Sequence, residues 1–550
     1  MTGAVNGSDS TPAASTTTTT EPGAADTTGG STPVTQDDST PSAPVPTTTD
    51  SETTDTGTTD PGTGSTDGSQ TSETDVSDPT TADPDTTAEE MTTTETSEPS
   101  DPDTVPSDPA ESEPGNPTST ASCSFTIDAE LSPAIATVGI VNWSTDLPGI
   151  TAARIEFGLE SAGPTMVAPV EAPGADNRTL LLGMKGDQSY VYTIVAEAGA
   201  EVCTSEQQVI ETGPVSNSVS PLNIDVRMPD AVTPGFMTLS EGVGNLGGPG
   251  GGGSGSMVYI VDQDGDPVWW AEAPASTSRA RMDWEGNNMW MISVNVQNGN
   301  AADVRRVSMD GMDVEMNVEG LSDCHHDLAV VPGGIVTCMS WISGGNDPPS
   351  DLIERHPDGS IDVITTLDSN IYVSNSYHSN SITYHPSDDT YTISDRNPNL
   401  YVKLSRQGEL IWQLGGNNPV GASFSGETQW AVNHGHHLTD EGTFLIFNNN
   451  GEGGGGGGGF GGGGPSPVIE FQLDEATMTA TRVWEYTSGE SSPTLGDVQR
   501  LPNGNTLITY SNAGTIHEVD PSGNVVQTIT SSGSFGYTMH RPSLYGPAPK

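Results

Sequence analysis

A polar turn ending in glycine recurs through the second half of the chain, at Gly265, Gly311, Gly359 and Gly408, with spacings of 46, 48 and 49 residues. Each turn joins two apolar strands. Tyr259-Ile260-Val261-Asp262-Gln263-Asp264-Gly265-Asp266-Pro267-Val268-Trp269 and Tyr401-Val402-Lys403-Leu404-Ser405-Arg406-Gln407-Gly408-Glu409-Leu410-Ile411-Trp412 are the clearest copies. Asp474-Glu475 replaces the glycine in a fifth copy, after a longer interval holding residues 451–464, and Gly523 marks a sixth. A unit of this length holds about four short strands and cannot bury both its faces alone, so successive copies must pack against one another. Six copies predict an all-β fold, a six-bladed β-propeller over residues 219–550.

The chain has 550 residues, too many for one core. Residues 1–122 are dominated by Thr, Ser, Asp, Pro, Gly and Glu, and no Lys or Arg precedes Arg154. Such a segment buries too little apolar surface to offset its ordering entropy, so a disordered stalk is expected. As a coil its root-mean-square reach is about 60 Å. It reads either as a tether holding an enzyme off a cell surface, O-glycosylated at its Thr-Ser-Pro runs, or as a solubilising tail. Over residues 123–213, β-rich runs such as Ala136-Thr137-Val138-Gly139-Ile140-Val141-Asn142-Trp143 and Tyr190-Val191-Tyr192-Thr193-Ile194-Val195-Ala196 predict a small fibronectin III-like sandwich. It is expected to serve spacing or packing rather than chemistry.

A net charge of −58, from 74 acidic and 16 basic residues, excludes nucleic acid as a partner, since phosphate contacts need clustered Lys and Arg. Saline surroundings would suit that balance. No apolar run is long enough to span a membrane, and Met1-Thr2-Gly3-Ala4 lacks the basic and apolar regions of a signal peptide. A leader removed beforehand, and an extracytoplasmic protein (periplasmic, secreted or surface-tethered), are expected from the stalk. Four cysteines allow three pairings. Cys123–Cys203 would bracket the sandwich and Cys324–Cys338 would close one hairpin, implying an oxidising compartment; four buried thiols are the alternative.

The chemistry is expected from three histidines. His326, His378 and His434 open strands in three successive copies, and two of them lie eight residues before a turn glycine, Gly334 and Gly442. Histidines at matching repeat positions would face one another across a propeller channel. Arg396, at the end of the strand pairing with that of His378, would join them, and a His–Arg cluster in so acidic a chain suits a tetrahedral anion. The glycine tracts at 247–256 and 451–464 lack a following Gly-Lys-Ser/Thr and read as mobile loops; the second is a surface insertion or a flap over the site. Asp262-Gln263-Asp264-Gly265-Asp266 has the look of a calcium loop but lacks its downstream Glu, so a hairpin turn is expected.

Tyr377-His378-Ser379-Asn380-Ser381-Ile382 followed by Ile393-Ser394-Asp395-Arg396 resembles a signature of the bacterial and archaeal arylsulfate sulfotransferase family. So do His325-His326-Asp327-Leu328 and Asn433-His434-Gly435-His436-His437-Leu438 leading to Phe447-Asn448-Asn449-Asn450-Gly451. The resemblance covers roughly residues 219–550. It implies a six-bladed propeller behind a small β domain, and transfer of a sulfuryl group from an aryl sulfate to a phenol without 3′-phosphoadenylyl sulfate or any other cofactor. By the same resemblance the intermediate is a sulfated histidine at His434. Arg396 and His378 would stabilise charge on the sulfuryl oxygens, with Asn380 orienting them. His326 would move the phenol's proton, or His325 in its place, since a one-residue shift turns a strand side chain to the other face. The chain departs from the family pattern at Asn433, where Gln is frequent, and at Asn448–Asn450 in place of Phe-Asp-Asn-Gly, which implies an altered acceptor preference. Two other readings stand beside this one: a zinc or copper enzyme using the three histidines, against which Arg396 argues, and a non-catalytic adhesive propeller. The oligomeric state is not readable.

Overall fold

Glycine at each repeating turn has a backbone reason. Gly265, Gly311, Gly359, Gly408 and Gly523 all have φ between 72° and 84°, and where the fifth copy lacks glycine, Met478 takes φ 51°. A left-handed residue after a tight turn, with the register shift seen just inside most of these hairpins, closes a bulged two-strand connection that favours glycine. The computed structural model describes residues 123–241, 256–294, 303–342, 348–450 and 464–547. The expected stalk over 1–122 and nearly all of both glycine tracts, with the expected flap, lie outside these residues.

The described residues are all-β, with two 3-10 turns and no α-helix. From residue 223 to 541 the strands form six sheets of four or five strands, and each sheet holds one of the six repeating turns in its hairpins. One edge strand of every sheet concerns the site: β1 (Thr277–Met282), β2 (Cys324–Val331), β3 (Ser379–His385), β4 (Asn433–Leu438), β5 (Asp497–Arg500) and β6 (Met539–Arg541). Consecutive edge strands meet. Ser381 donates to the carbonyl of His434 (3.1 Å), Gly435 N–H to Gly496 O (2.9 Å), His540 N–H to Gln499 Oε1 (2.8 Å) and Tyr537 N–H to Ser278 O (2.7 Å). The two ends of the repeat are stitched: Asn223–Val226 pairs with Val525–Thr530 of the last sheet, and β6 pairs with Phe236–Glu241 of the first. Apolar clusters fill the spaces between sheets, among them Tyr401, Trp412, Phe444, Ile469 and Phe471.

Ahead of these sheets, Phe125–Leu131, Gly139–Thr145 and Asp176–Leu181 form one antiparallel sheet; Ala152–Leu159 and Ser189–Ala198 lead a second. Their inward residues, Val141, Trp143, Ile155, Phe157, Tyr190, Tyr192 and Ile194, make a single core. Polar staples fix this unit to the repeat. Lys185 Nζ sits among Asp262, Asp264 and Asp266 at 2.9, 2.7 and 2.8 Å, and Tyr545 Oη donates to Leu180 O (3.0 Å) while accepting from Leu182 N–H (2.7 Å). The acidic loop with a calcium-like spacing is therefore a hairpin whose carboxylates meet a lysine. Cys123 is bonded to Cys203 and Cys324 to Cys338, and no described cysteine is free. Among the described residues no helix is long and apolar enough to cross a membrane.

Candidate functional site

The start of β1, β2, β3 and β4 is irregular, and in the last three that irregularity presents the histidine cluster. A register shift leaves His326 and Asp327 unpaired in β2, Asn380 in β3, and His434 and Gly435 in β4. Such a bulge re-aims side chains that regular pleating would alternate. His326 takes φ 61°, a conformation costly for a residue with a Cβ, and it persists because the surrounding contacts fix it. The repeat match expected for the histidines is offset in one copy. His326, Asn380 and His434 share the bulge position, whereas His378 stands two residues earlier, just outside its strand. His378 still reaches the cluster, its ring centroid 4.9 Å from that of His326. Its backbone is pinned: its N–H donates to Asp395 Oδ1 (2.9 Å), and its carbonyl accepts from Arg396 N–H (3.2 Å). Tyr372 Oη donates to the other oxygen of Asp395 (2.6 Å), and burial pushes that carboxyl up to about 6.

His434 is held in one tautomer. Its Nδ1 lies 2.7 Å from Asn449 Oδ1. Asn449 cannot present its nitrogen there, because Nδ2 donates to Ser492 O (2.6 Å) and Leu495 O (2.7 Å). The amide oxygen is thus the acceptor, His434 Nδ1 carries the proton, and Nε2 keeps its lone pair. Burial, then the Arg396 guanidinium, push the imidazole down to about 3, against the partial support of Asn449. His434 is neutral at any ordinary pH.

His325 and His326 divide the work between two faces. His325 stacks on Trp341 at 3.7 Å, and its Nε2 meets Ser350 Oγ at 2.9 Å. His326 faces the other histidines, and the two rings share a proton between their Nδ1 atoms at 2.9 Å. Burial holds His326 well below its usual range, followed by His378, His325, His434 and Arg396. Asn380 spends its Nδ2 on Asn433 O (2.7 Å), while its buried Oδ1 has no hydrogen-bond partner among the described residues. His378, Arg396, Trp341 and Tyr377 are half-buried and make a cationic, aromatic mouth above buried His326 and His434. Among the described residues only Asp262, Asp264 and Asp266 bring three metal-ligand atoms within 4.8 Å of one another, and Lys185 sits between them.

Sequence reasoning missed two features. Asn449 entered only as part of a departure from a pattern; its spacing from His434 across one hairpin was the available signal. The other is an ion layer directly beneath the histidines. Arg279 makes two bonds to Asp327 (2.7 and 3.0 Å) and one to Asp497 (2.6 Å), and lies 4.3 Å over the ring of Tyr537, all buried. Asp497 Oδ1 packs so tightly on Gly435 that an added Cβ would lie 2.1 Å from it. Arginines at alternate positions of an otherwise uncharged strand, Thr277-Ser278-Arg279-Ala280-Arg281-Met282, were its trace in the sequence. Asn433, the other departure, is structural. Its Nδ2 donates to Ser394 Oγ (2.7 Å) and its Oδ1 accepts from Trp430 Nε1 (3.0 Å).

Residues 351–532 match the family model described as arylsulfotransferase (ASST), in line with the resemblance carried by the histidine motifs. No curated protein sequence matches the chain. Similar solved structures include a protein of unknown function from Bacteroides thetaiotaomicron VPI-5482 (13% identity, TM-score 0.32, covering 76% of this chain and 99% of that one). A functionally unknown protein from Desulfotomaculum acetoxidans DSM 771 is also similar (11%, 0.37, 56% and 98%), as is a streptogramin B lyase (12%, 0.33, 58% and 98%).

Proposed function

We propose that this chain is a sulfotransferase that moves a sulfuryl group from an aryl sulfate to a phenol through a sulfated His434, without 3′-phosphoadenylyl sulfate. The observation that carries this reading is the fixed His434 tautomer, which leaves Nε2 unprotonated in a cluster with Arg396, His378 and His326. In the first half-reaction the Nε2 lone pair forms a bond to sulfur as the S–O(aryl) bond breaks and the donor phenolate departs. The ring becomes an N-sulfated imidazolium, whose Nδ1–H strengthens its bond to Asn449. Arg396 and His378 take up charge on the non-bridging oxygens, the kind of preorganised stabilisation on which sulfuryl transfer depends. His326 hands its proton to the departing phenolate, and the deficit stays on the hydrogen-bonded His326–His325–Ser350 chain until the second half-reaction. In the second half the acceptor phenol returns a proton to His326, its oxygen attacks sulfur, and the N–S bond breaks. Trp341 and Tyr377 at the mouth offer faces for the aryl rings, and Asn380 Oδ1 offers an acceptor for a phenol hydroxyl.

The six stitched sheets support a closed six-bladed propeller over residues 219–550 as the carrier of this site, and the two sheets of 123–213 support a fibronectin III-like sandwich ahead of it. Two disulfides support an extracytoplasmic setting, to which a surface tether through residues 1–122 would be suited. The test is donor alone, followed by mass spectrometry. An added sulfuryl group should appear on the peptide holding His434, steady-state kinetics should be ping-pong, and His434→Ala should lose the first phenol burst. Near-normal turnover in His434→Ala, with the label elsewhere, would sink the assignment.

A further inference from the structure

The same strands that present the histidines at one end surround a cavity at the other. Its enclosed volume is about 70 Å³, enough for a charged head group with a ring left at the open mouth, and its floor is the reverse side of the ion layer. Arg279 and Arg281, two apart on β1, project to the same face of the strand. Arg279 uses both carboxylates of the layer. Arg281 has none: it is 6% exposed, forms no ion pair among the described residues, and its Nε has no hydrogen-bond partner among them. Buried guanidinium groups are ordinarily hydrogen-bonded and paired. Burial, and then repulsion from Arg279, push Arg281 down to about 10 against the longer-range pull of Asp327 and Asp497, which leaves it charged at neutral pH.

The walls fit an anion with an aromatic body. His437 Nδ1 accepts from Arg500 N–H (2.8 Å), so its Nε2 carries the proton and is a donor. Val498 and Met539 supply apolar surface, and Trp284 and Tyr384 stand edge to face with centroids 6.2 Å apart. The one carboxylate of the lining, Asp497, is held by Arg279 and by Val498 N–H (3.0 Å). We propose that this cavity is a second anion site, separate from the histidine cluster, which takes a small aromatic monocarboxylate or monosulfonate with its charged group on Arg281 and its ring against Trp284 and Tyr384. The proposal does not depend on the role of His434.

The probe is benzoate, measured by titration calorimetry on full-length chain carrying Arg396→Gln, which removes the guanidinium of the histidine cluster. About one benzoate per chain should bind. Adding Arg281→Met should weaken binding at least tenfold, and adding Trp284→Leu instead should weaken it severalfold. His434→Ala should leave binding intact, which separates this site from sulfuryl transfer. Ligand-free Arg281→Met should also melt at or above the temperature of its parent, because an unpaired buried cation has been replaced by an apolar side chain. Absence of saturable binding to the Arg396→Gln chain overturns the proposal. So does unchanged affinity in either added variant, and the Trp284 variant decides alone should Arg281→Met fail to fold.

Discussion

Replacing Asn449 by alanine tests the catalytic reading at its narrowest point. The substitution removes the acceptor from His434 Nδ1–H, so nothing selects the tautomer with a free Nε2, and nothing supports the ring as it becomes cationic. A hydrogen bond to a charged group is worth about 1.5–3 kcal/mol, and about 1.4 kcal/mol is tenfold in rate, so donor kcat/KM should fall about 10- to 150-fold. The carbonyls of Ser492 and Leu495 also lose their donor, which should cost about 1–3 kcal/mol of stability; denaturant unfolding measures that loss apart from the kinetic one. The assay is the pre-steady-state burst of a chromogenic aryl sulfate, which reads the first half-reaction alone. Because Asn449 holds the His434 pKa up, its loss lowers that pKa further, and no acid limb from His434 should enter the profile above pH 4. Asn449→Asp should do the opposite, raising the imidazole's pKa while recovering part of the burst. An unchanged burst rate in a folded Asn449→Ala chain, or a defect confined to the second half, would refute the reasoning.

Gly435→Ala should be destabilised by about 1–3 kcal/mol or more, since the new methyl collides with Asp497 at its side chain and its Cα; thermal unfolding checks this, and activity should fall with the loosened ion layer. Buried His385, His434 and His436, each pushed to about 3, stay neutral in the folded chain but titrate near 6.5 once unfolded. Their contribution is complete above pH 6.5 and is lost as pH falls below it, by roughly 2 kcal/mol per histidine at pH 5, partly offset by Asp395, whose raised pKa acts the other way. Urea midpoints between pH 7 and 5 should therefore drop, less steeply in His436→Gln. Chelators should leave turnover unchanged, while sulfate should inhibit competitively with the aryl donor. Loss of activity on chelation, restored by zinc, would reverse the assignment of the histidines.

The repeat was legible because a left-handed backbone after a tight turn favours glycine, and Gly265, Gly311, Gly359 and Gly408 kept that signature at even spacing. The disulfide across the Cys324 hairpin was legible for a similarly local reason, two cysteines on adjacent strands. His326, His378, His434 and Arg396 stood out by residue type in a chain poor in cations. What they do to one another was not legible. Bulges decide whether a side chain at a strand start faces the cluster, and they set His326, Asn380 and His434 in register while His378 arrives from outside its strand. The tautomer of His434 depends on two backbone carbonyls, Ser492 and Leu495, more than forty residues from Asn449, and no local pattern records such contacts. The ion layer likewise joins Arg279, Asp327 and Asp497 from three sheets. Sequence by itself determined the repeating unit and the residue types available for chemistry, because turn geometry and side-chain chemistry are local. Only the tertiary structure decided which nitrogen is free, which charges are neutralised and which cation is left facing a cavity, because desolvation and pairing depend on residues that only folding brings together.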